Sequence, residues 1–225
     1  MARISSETLF NFTDSIDYLI DNLTEGIYCH NTEEKLPFGK NKYRAPMACF
    51  CDIPLSLIKE HFDWYGRYGI GLKRSYAREL GVKPVWYVTS ENPMVRNLVK
   101  QKSHTENELR NLIPYLKQFI GYQRYSLEGR DKRKKFYDER EWRYIAAPGQ
   151  VEIFFGQKAI RSMSQAIQKN ERMKLDLNAI EYIIIDKSAD VKTLLPVLKK
   201  IATTTVSFET LVSKIITATQ IERDF

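Results

Sequence analysis

The strongest constraint on the fold is the alternation of short apolar runs with short segments of helical periodicity. Strands are predicted at LFNFT, ACFCD, YGIGL, VWYVT, QVEIFF and EYIIIDK. Helices are predicted between them, at about 15–25, 55–64, 73–80 and 158–170, and again beginning at Thr193. These connections lack the regular long crossovers of a doubly wound parallel sheet. The pattern therefore predicts an α+β fold.

The remaining segments differ in character from this pattern. Thr13 or Asp14 is predicted to cap the first helix, and Gly26 to end it. Residues 30–46 are polar, with Gly and Pro, and predict a surface loop. Residues 91–125 carry helical periodicity interrupted by Pro114 and predict a helical insertion. A charged loop should follow it, and SFETLVSKIITATQI should close the chain as an amphipathic helix.

Length and composition are those of a single domain. The chain has 225 residues, of which 43% are hydrophobic, enough to bury one substantial core. We therefore expect one domain over 1–225, with the insertion at about 91–125. No apolar run is long enough for a membrane span and the N-terminus lacks the order of a signal peptide, so we expect a cytoplasmic protein without a membrane partner.

Cysteine content and charge limit the chemistry further. The three cysteines cannot form a disulfide framework, and C-x-C with few histidines is a poor zinc site, so no metal is expected. The net charge of +7 favours acidic partners, nucleic acid or a nucleotide. Neither a Walker nor a Rossmann glycine motif is present, and no catalytic triad order or H-E-x-x-H motif appears.

The segment DEREWRYIA has a definite geometry if it is extended. Alternation over 139–146 would put Glu139, Glu141 and Arg143 on one face of the strand. One interpretation is a surface ion-pair ladder on an edge strand, worth about 0 to 1 kcal/mol per pair. The other is a catalytic pair, in which one carboxylate acts on a sugar hydroxyl and the other stabilises an oxocarbenium-like centre.

The stretch HFDWYGRYGIGL follows the predicted ACFCD strand. An aromatic wall with a titratable imidazole, suited to a base or a nicotinamide ring, could be formed by His61, Trp64, Tyr65 and Tyr68. The alternative is that His61 is a packed, hydrogen-bonded structural residue. The glycines of this stretch allow close approach by a strand or by a ligand.

A basic run precedes the candidate carboxylates. Its members are Arg130, Lys132, Arg133, Lys134 and Lys135, interleaved with Tyr125, Phe136 and Tyr137. Cations mixed with aromatic rings are typical of a platform for single-stranded nucleic acid. A solvated loop is the alternative interpretation. If the run binds nucleic acid and the protein has no catalytic activity, the protein would be a nucleic-acid-binding regulator.

Several ordered motifs together resemble the AbiGi family of bacterial abortive-infection proteins. They are FCDIPLS, the H-x-x-x-YGRYGIGL stretch, PVWYV, EREWRYIA and KIITATQIERDF. The resemblance covers most of the chain, from Leu9 to Phe225. It implies the antitoxin-like partner of a nucleotidyltransferase-like toxin in a two-component phage-defence system.

A weaker resemblance concerns the layout of DarT-like ADP-ribosyltransferases. LFNFT, the helix before GIY, ACFCDIP and the Glu-x-Glu strand are similar to their three-part arrangement. This implies Glu141 as the catalytic residue and Glu139 as its acceptor-side companion. It also implies NAD as substrate, with Asn11, Thr13, Arg44, His61, Tyr65, Tyr68 and Arg143 as its candidate contacts. Asn11 stands where the H-x-T pattern places histidine, and asparagine cannot supply a positive charge.

Two functional hypotheses follow from the sequence. The first is a phage-defence protein with an ADP-ribosyltransferase-like core that transfers ADP-ribose from NAD to nucleic acid, RNA in preference to DNA. The second is a noncatalytic antitoxin whose motifs stabilise the fold and whose charged surface docks a toxin.

Overall fold

Helices and a large mixed β-sheet make up the structure, a computed structural model that describes residues 5–37, 41–93, 97, 108, 111–125, 129–155, 158–160 and 171–225. The strands are β1 Thr8–Thr13, β2 Ile27–Tyr28, β3 His30–Lys35, β4 Lys42–Cys51, β5 Tyr68–Lys73, β6 Lys83–Pro84, β7 Trp86–Val88, β8 Leu116–Gln118, β9 Ile120–Tyr125, β10 Arg130–Lys135, β11 Glu141–Ile145, β12 Glu152–Phe155, β13 Lys158–Ile160, β14 Arg172–Met173, β15 Ile180–Ile185 and β16 Ile215–Thr217. The helices are α1 Ile16–Glu25, α2 Lys59–Tyr65, α3 Arg74–Glu79, α4 Val191–Ile201, α5 Phe208–Val212 and α6 Ala218–Asp224. The predicted mixture of short strands and helices is confirmed.

The main sheet runs in the order β13-β12-β4-β1-β5-β15-β16, and β3 and β11 also pair with β4. Neighbouring strands are antiparallel, apart from the parallel pair β15 and β16. The ten-residue strand β4 pairs with β3 and β12 in its first half and with β11 in its second half. The sheet therefore branches along β4, and the inner part of that strand contacts several elements at once.

The largest apolar core lies between the sheet and helices α1 and α4. Leu19 of α1 and Leu194 of α4 are fully buried against Leu72 of β5 and Ile183 of β15. Helix α1 begins after Ser15, whose side chain accepts a hydrogen bond from Tyr18 N, so the predicted caps at Thr13 and Asp14 are wrong by one or two residues. Gly26 ends the helix as predicted.

Three segments predicted as loop or helix form strands instead. The predicted loop 30–46 contains β3 and the first half of β4, and the two strands pair from His30 with Met47 to Lys35 with Lys42. The predicted charged loop contains β10, and the end of the predicted helical insertion contains β8 and β9. Strands β3 and β10 have mostly exposed side chains, and backbone pairing stabilises them without a strong apolar pattern. Residues 94–96, 98–107 and 109–110 of the predicted insertion fall outside the described residues.

Three further helix predictions are corrected. Strand β13 occupies 158–160, where a helix was expected, and 161–170 lies outside the described residues. The expected C-terminal helix is divided into α5, β16 and α6, because residues of β16 pair in register with the isoleucines of β15. Helix α4 begins after Asp190 rather than at Thr193, so Pro196 lies inside it.

The FCDIP motif ties the N-terminal segment to the sheet. The Asp52 carboxylate accepts hydrogen bonds from Ser5 Oγ and from Ser6 N, the latter at 2.7 Å. Arg74 Nη1 lies 3.5 Å from the same carboxylate. The acid that ends β4 therefore has a structural role. All three cysteines are free thiols, and no helix among the described residues is long and apolar enough to cross a membrane.

Candidate functional site

A cleft of about 930 Å³ opens beside β1 and β4. Asn11 and Thr13 of β1, His61 and Tyr65 of α2, Lys117 of β8, and the glutamates Glu139 and Glu141 are among its lining residues. Strand β9 also reaches the cleft, through Tyr122 and Gln123. The volume lies in the range of small-molecule binding sites.

The two glutamates reach the cleft from different backbone conformations. Glu141 begins β11 opposite Cys51 of β4, whereas Glu139 ends a short 3-10 turn, Phe136–Glu139. Between them Arg140 adopts a left-handed conformation, with φ of 45°, and its carbonyl accepts a hydrogen bond from Asp52 N at 3.0 Å. The prediction that 139 and 140 are extended is therefore wrong. The turn nevertheless aims both carboxylates at the same lysine.

That lysine, Lys117, is the centre of a buried ionic cluster. Its Nζ lies 2.9 Å from Glu139 Oε2 and also bonds Glu141 Oε2, while Glu34 is 3.7 Å away. Arg143 completes the cluster, which we define as Glu34, Lys117, Glu139, Glu141 and Arg143. Arg143 Nε donates a hydrogen bond to Glu141 Oε1 at 2.7 Å, and Arg143 Nη2 donates one to Glu34 at 2.6 Å.

The cluster holds Lys117, Glu139, Glu141 and Arg143 in their charged forms. Burial by itself would raise the pKa of Glu141, but Arg143 and Lys117 outweigh it and hold that pKa far below its usual range. Burial would also raise the pKa of Glu139, but Lys117 and Lys134 hold that pKa below its usual range. Burial opposes the charge of Lys117, and the neighbouring glutamates overcome it and raise the pKa. Each charge is therefore stabilised by the others.

The Glu139 carboxylate is also fixed from the side of α2 and the β9–β10 hairpin. Tyr65 donates its hydroxyl hydrogen bond to Glu139 Oε1, and Lys134 Nζ lies 2.6 Å from the same oxygen. Lys134 in turn lies over the rings of Trp64 and Tyr65, at 4.0 and 4.5 Å from their centroids. This contact attaches the hairpin to α2 at the edge of the cleft.

His61 differs from the charged groups around it. It is 7% exposed, and its Nε2 finds no hydrogen-bond partner among the described residues. Burial lowers the pKa of His61 to about 4, although Glu139 acts in the opposite direction. The imidazole is therefore neutral near neutral pH. His61 is packed, as expected of a structural residue. Its Nε2, however, lacks the hydrogen bond that a structural residue should have among the described residues.

The pKa of His61 predicts acid sensitivity. Its folded pKa lies below the ordinary 6.5, so the unfolded chain takes up the proton first and stability falls as pH drops from about 6.5 to 4. We expect His61 to contribute a loss of about 2 kcal/mol between about pH 7 and pH 5. Urea unfolding of the wild type and of His61→Phe at both pH values measures it. Equal losses in the two proteins would contradict the assignment.

The structure brings together only part of the predicted site. Asn11, Thr13, His61, Tyr65, Glu139 and Glu141 all line the cleft. Arg44 instead pairs with Glu33 and Glu152 near the surface, at 3.1 and 3.5 Å. Tyr68 donates a hydrogen bond to Asp190 and packs against the main core. Arg143 is fully buried behind Glu141.

The predicted basic run forms a strand with two different faces. Lys134 points inward to Glu139, and Lys132 is half-buried. Arg130, Arg133 and Lys135 are exposed, and Arg133 lies directly opposite Tyr122 in the hairpin. The expected solvated loop is therefore an ordered hairpin.

No sequence pattern indicated that three residues, Lys117, Glu34 and Tyr43, lie in or beside the ionic cluster. Lys117 lies in the segment predicted to be helical, and Glu34 in the segment predicted to be a loop. Tyr43 is fully buried, accepts a hydrogen bond from Arg143, and is also within hydrogen-bond distance of Glu34 at 3.1 Å. Only the pairing of β3 with β4 and the position of β8 bring these groups to Glu141.

Comparison with known proteins identifies the family. A family model described as "Putative abortive phage resistance protein AbiGi, antitoxin" matches residues 24–186. The chain belongs to the AbiGi family. A relative from Lactococcus lactis subsp. cremoris, "Abortive phage resistance protein AbiGi", is 24% identical over 211 residues, which cover 77% of this chain and 83% of the relative. No solved structure matches this AbiGi-family chain. The ionic cluster lies within the part that the family model matches.

Proposed function

We propose that this AbiGi-family protein is the antitoxin of a phage-defence pair and neutralises a cognate toxin by binding it. The family description supports this role directly. In this role the ionic cluster of the cleft is structural, and the toxin binds the protein surface. This role corresponds to the noncatalytic alternative of the sequence analysis.

The main support for this role is that both carboxylates of the candidate catalytic pair, Glu139 and Glu141, are already bonded to neighbouring side chains. Glu141 Oε1 and Oε2 both bond Arg143, and Oε2 also bonds Lys117. Glu139 Oε1 bonds Tyr65 and Lys134, and Oε2 bonds Lys117. All four oxygens are engaged by cationic side chains, so a substrate hydroxyl or a developing positive centre meets carboxylates that are already neutralised.

The outer face of the β9–β10 hairpin is a suitable toxin-binding surface. Tyr122 is 70% exposed and Ile120 is 42% exposed, and they stand opposite Arg133 and Lys135 in the hairpin register. Exposed aromatic and aliphatic groups beside cations suit an acidic protein partner. Tyr137, 46% exposed, stacks on Phe119 next to the hairpin and extends this surface.

Co-expression tests the proposal. The chain should restore growth to bacteria that express the nucleotidyltransferase-like toxin, and the two proteins should co-purify. The double variant Arg133→Glu and Lys135→Glu should weaken rescue and lower affinity at least tenfold, because it reverses charge at the partner surface. Lys199→Glu with Lys200→Glu on α4 makes the same charge change elsewhere and should leave rescue unchanged. Failure of the wild type to rescue or co-purify would refute the proposal.

An ADP-ribosyltransferase acting on RNA is a second candidate, favoured by one observation. Glu139 and Glu141 line the same cleft as Asn11, Thr13, His61 and Tyr65. The cleft residues do not fit NAD well, because the Glu141 carboxylate, which would hold the ribose, is already paired with Arg143 and Lys117. The ADP-ribosyltransferase-like core remains part of this second candidate.

Incubation with labelled NAD and total RNA separates the two candidates. For an antitoxin, we expect no transfer of label above that of Glu141→Gln, a variant whose folding is checked by circular dichroism. Label on RNA that disappears in a folded Glu141→Gln protein would establish the transferase instead. The measured loss should then be on the order of 10² to 10⁴ in rate.

A further inference from the structure

A buried histidine of α2 lines the cleft. His61 Nε2 is buried, lines the cleft, and has no hydrogen-bond partner among the described residues. A buried polar atom left unpaired lowers the stability of the folded protein. Such an atom facing a cleft is readily explained if a ligand supplies the missing hydrogen bond.

The surroundings of this atom are aromatic. The ring of Phe12 lies 6.4 Å from the imidazole and the ring of Tyr65 lies 5.7 Å from it, centroid to centroid. Phe62 packs edge-on against Phe12 at 5.6 Å and holds it in place. Flat apolar walls beside a single hydrogen-bonding atom suit a planar nitrogen heterocycle. The neutral imidazole can accept or donate at Nε2, according to its tautomer.

The charges around the cleft argue against a phosphorylated ligand. Its described lining includes the carboxylates of Asp21, Glu33, Glu34, Glu139 and Glu141. The basic residues of that lining are Lys35, Lys117 and Arg172. Lys117 is engaged by Glu139 and Glu141, and Arg172 by Asp21 at 2.8 Å. Because Lys117 and Arg172 are already paired with carboxylates, they offer an anionic phosphate little attraction.

We propose that the inner end of the cleft binds an uncharged planar heterocycle of the nucleoside class, whose edge hydrogen-bonds His61 Nε2 and whose ring packs against Phe12 and Tyr65. The ligand sits beside Glu139, whose partners Tyr65 and Lys134 connect α2 to the β9–β10 hairpin. This site goes beyond the toxin-binding proposal and does not depend on it.

Calorimetry and thermal denaturation with adenosine, guanosine, cytidine and uridine test the site. At least one of the four should bind the wild type and raise its melting temperature. The 5′-diphosphate of the same nucleoside should bind no more tightly, because Lys117 and Arg172 of the lining are already paired with carboxylates. Binding of none of the four, or tighter binding of the diphosphate, would overturn the proposal.

Variants test the role of the imidazole. His61→Phe keeps a ring but removes the nitrogen, and it should weaken nucleoside binding about tenfold, the value of one hydrogen bond of about 1.4 kcal/mol. His30→Phe changes the other histidine of the lining and should leave the affinity within about twofold. In the wild type, the His61 Nε2 resonance should shift when the nucleoside is added. Unchanged affinity in His61→Phe, or an unchanged resonance at saturation, would also overturn the proposal.

Discussion

Arg143→Met is expected to lower the free energy of unfolding by about 3 to 5 kcal/mol, the cost of removing one partner from a buried ion pair. Arg143 is fully buried, and its guanidinium donates to Glu141, to Glu34 and, at 2.6 Å, to the carbonyl of Pro114. Methionine would keep much of the side-chain length while leaving these acceptors without their donor. Urea unfolding followed by circular dichroism measures the loss.

Arg44→Met is the matched control for this substitution. Arg44 pairs with Glu33 and Glu152, but its side chain is 39% exposed. Water replaces the lost bonds at such a site, so the expected cost is about 0 to 1 kcal/mol. If the two variants lost equal stability, the ionic cluster would not stabilise the cleft in the way that its burial indicates.

Gly66→Ala should be at least as damaging, for a reason of backbone geometry. Gly66 ends α2 with φ of 101°, a conformation that disfavours L-residues. A Cβ atom there would lie 2.3 Å from the carbonyl oxygen of Thr13 and 2.4 Å from Asp14 Cα, both backbone atoms. Neither can move without shifting β1, so we expect a loss of more than about 3 kcal/mol.

Gly81→Ala separates steric overlap from conformational strain. Gly81 also has positive φ, of 91°, but a Cβ there would have no described atom within 4 Å. The expected cost is that of the conformation alone, about 1 to 2 kcal/mol. Thermal denaturation of both variants measures the difference. A Gly81→Ala loss as large as that of Gly66→Ala would attribute both effects to φ and none to contact with β1.

Gly66 and Arg143 affect function because they position residues that line the cleft. Thr13 lines the cleft and contacts Gly66, and His61 and Tyr65 lie in the helix that Gly66 ends. Arg143 orients Glu141 from behind. A variant that unfolds the protein would abolish toxin binding and nucleoside binding together. Only variants that keep the fold, such as the charge changes on the hairpin, can therefore distinguish the proposed functions.

Sequence patterns predicted strands and helices correctly where neighbouring residues determine the conformation. The apolar strands β1, β5 and β15 and the helix α1 with its Gly26 stop follow from periodicity and glycine geometry. Predictions were wrong where pairing decides conformation. Strand β3 is polar, and β16 lies inside a helix-like pattern, yet each is held by an ordered register with a neighbouring strand. Backbone hydrogen bonds to a distant segment override weak local preferences of this kind.

The sequence by itself determined the α+β class, the AbiGi kinship and the presence of two glutamates next to an arginine, because these depend on neighbouring residues. Only the tertiary structure decided what the glutamates do. Lys117, 22 residues before Glu139 in the chain, arrives with β8 and neutralises both carboxylates, while Glu34 arrives with β3 and engages Arg143. The charge state and the free bonding capacity of a buried carboxylate depend on groups brought within a few ångströms by folding, and no local pattern records them.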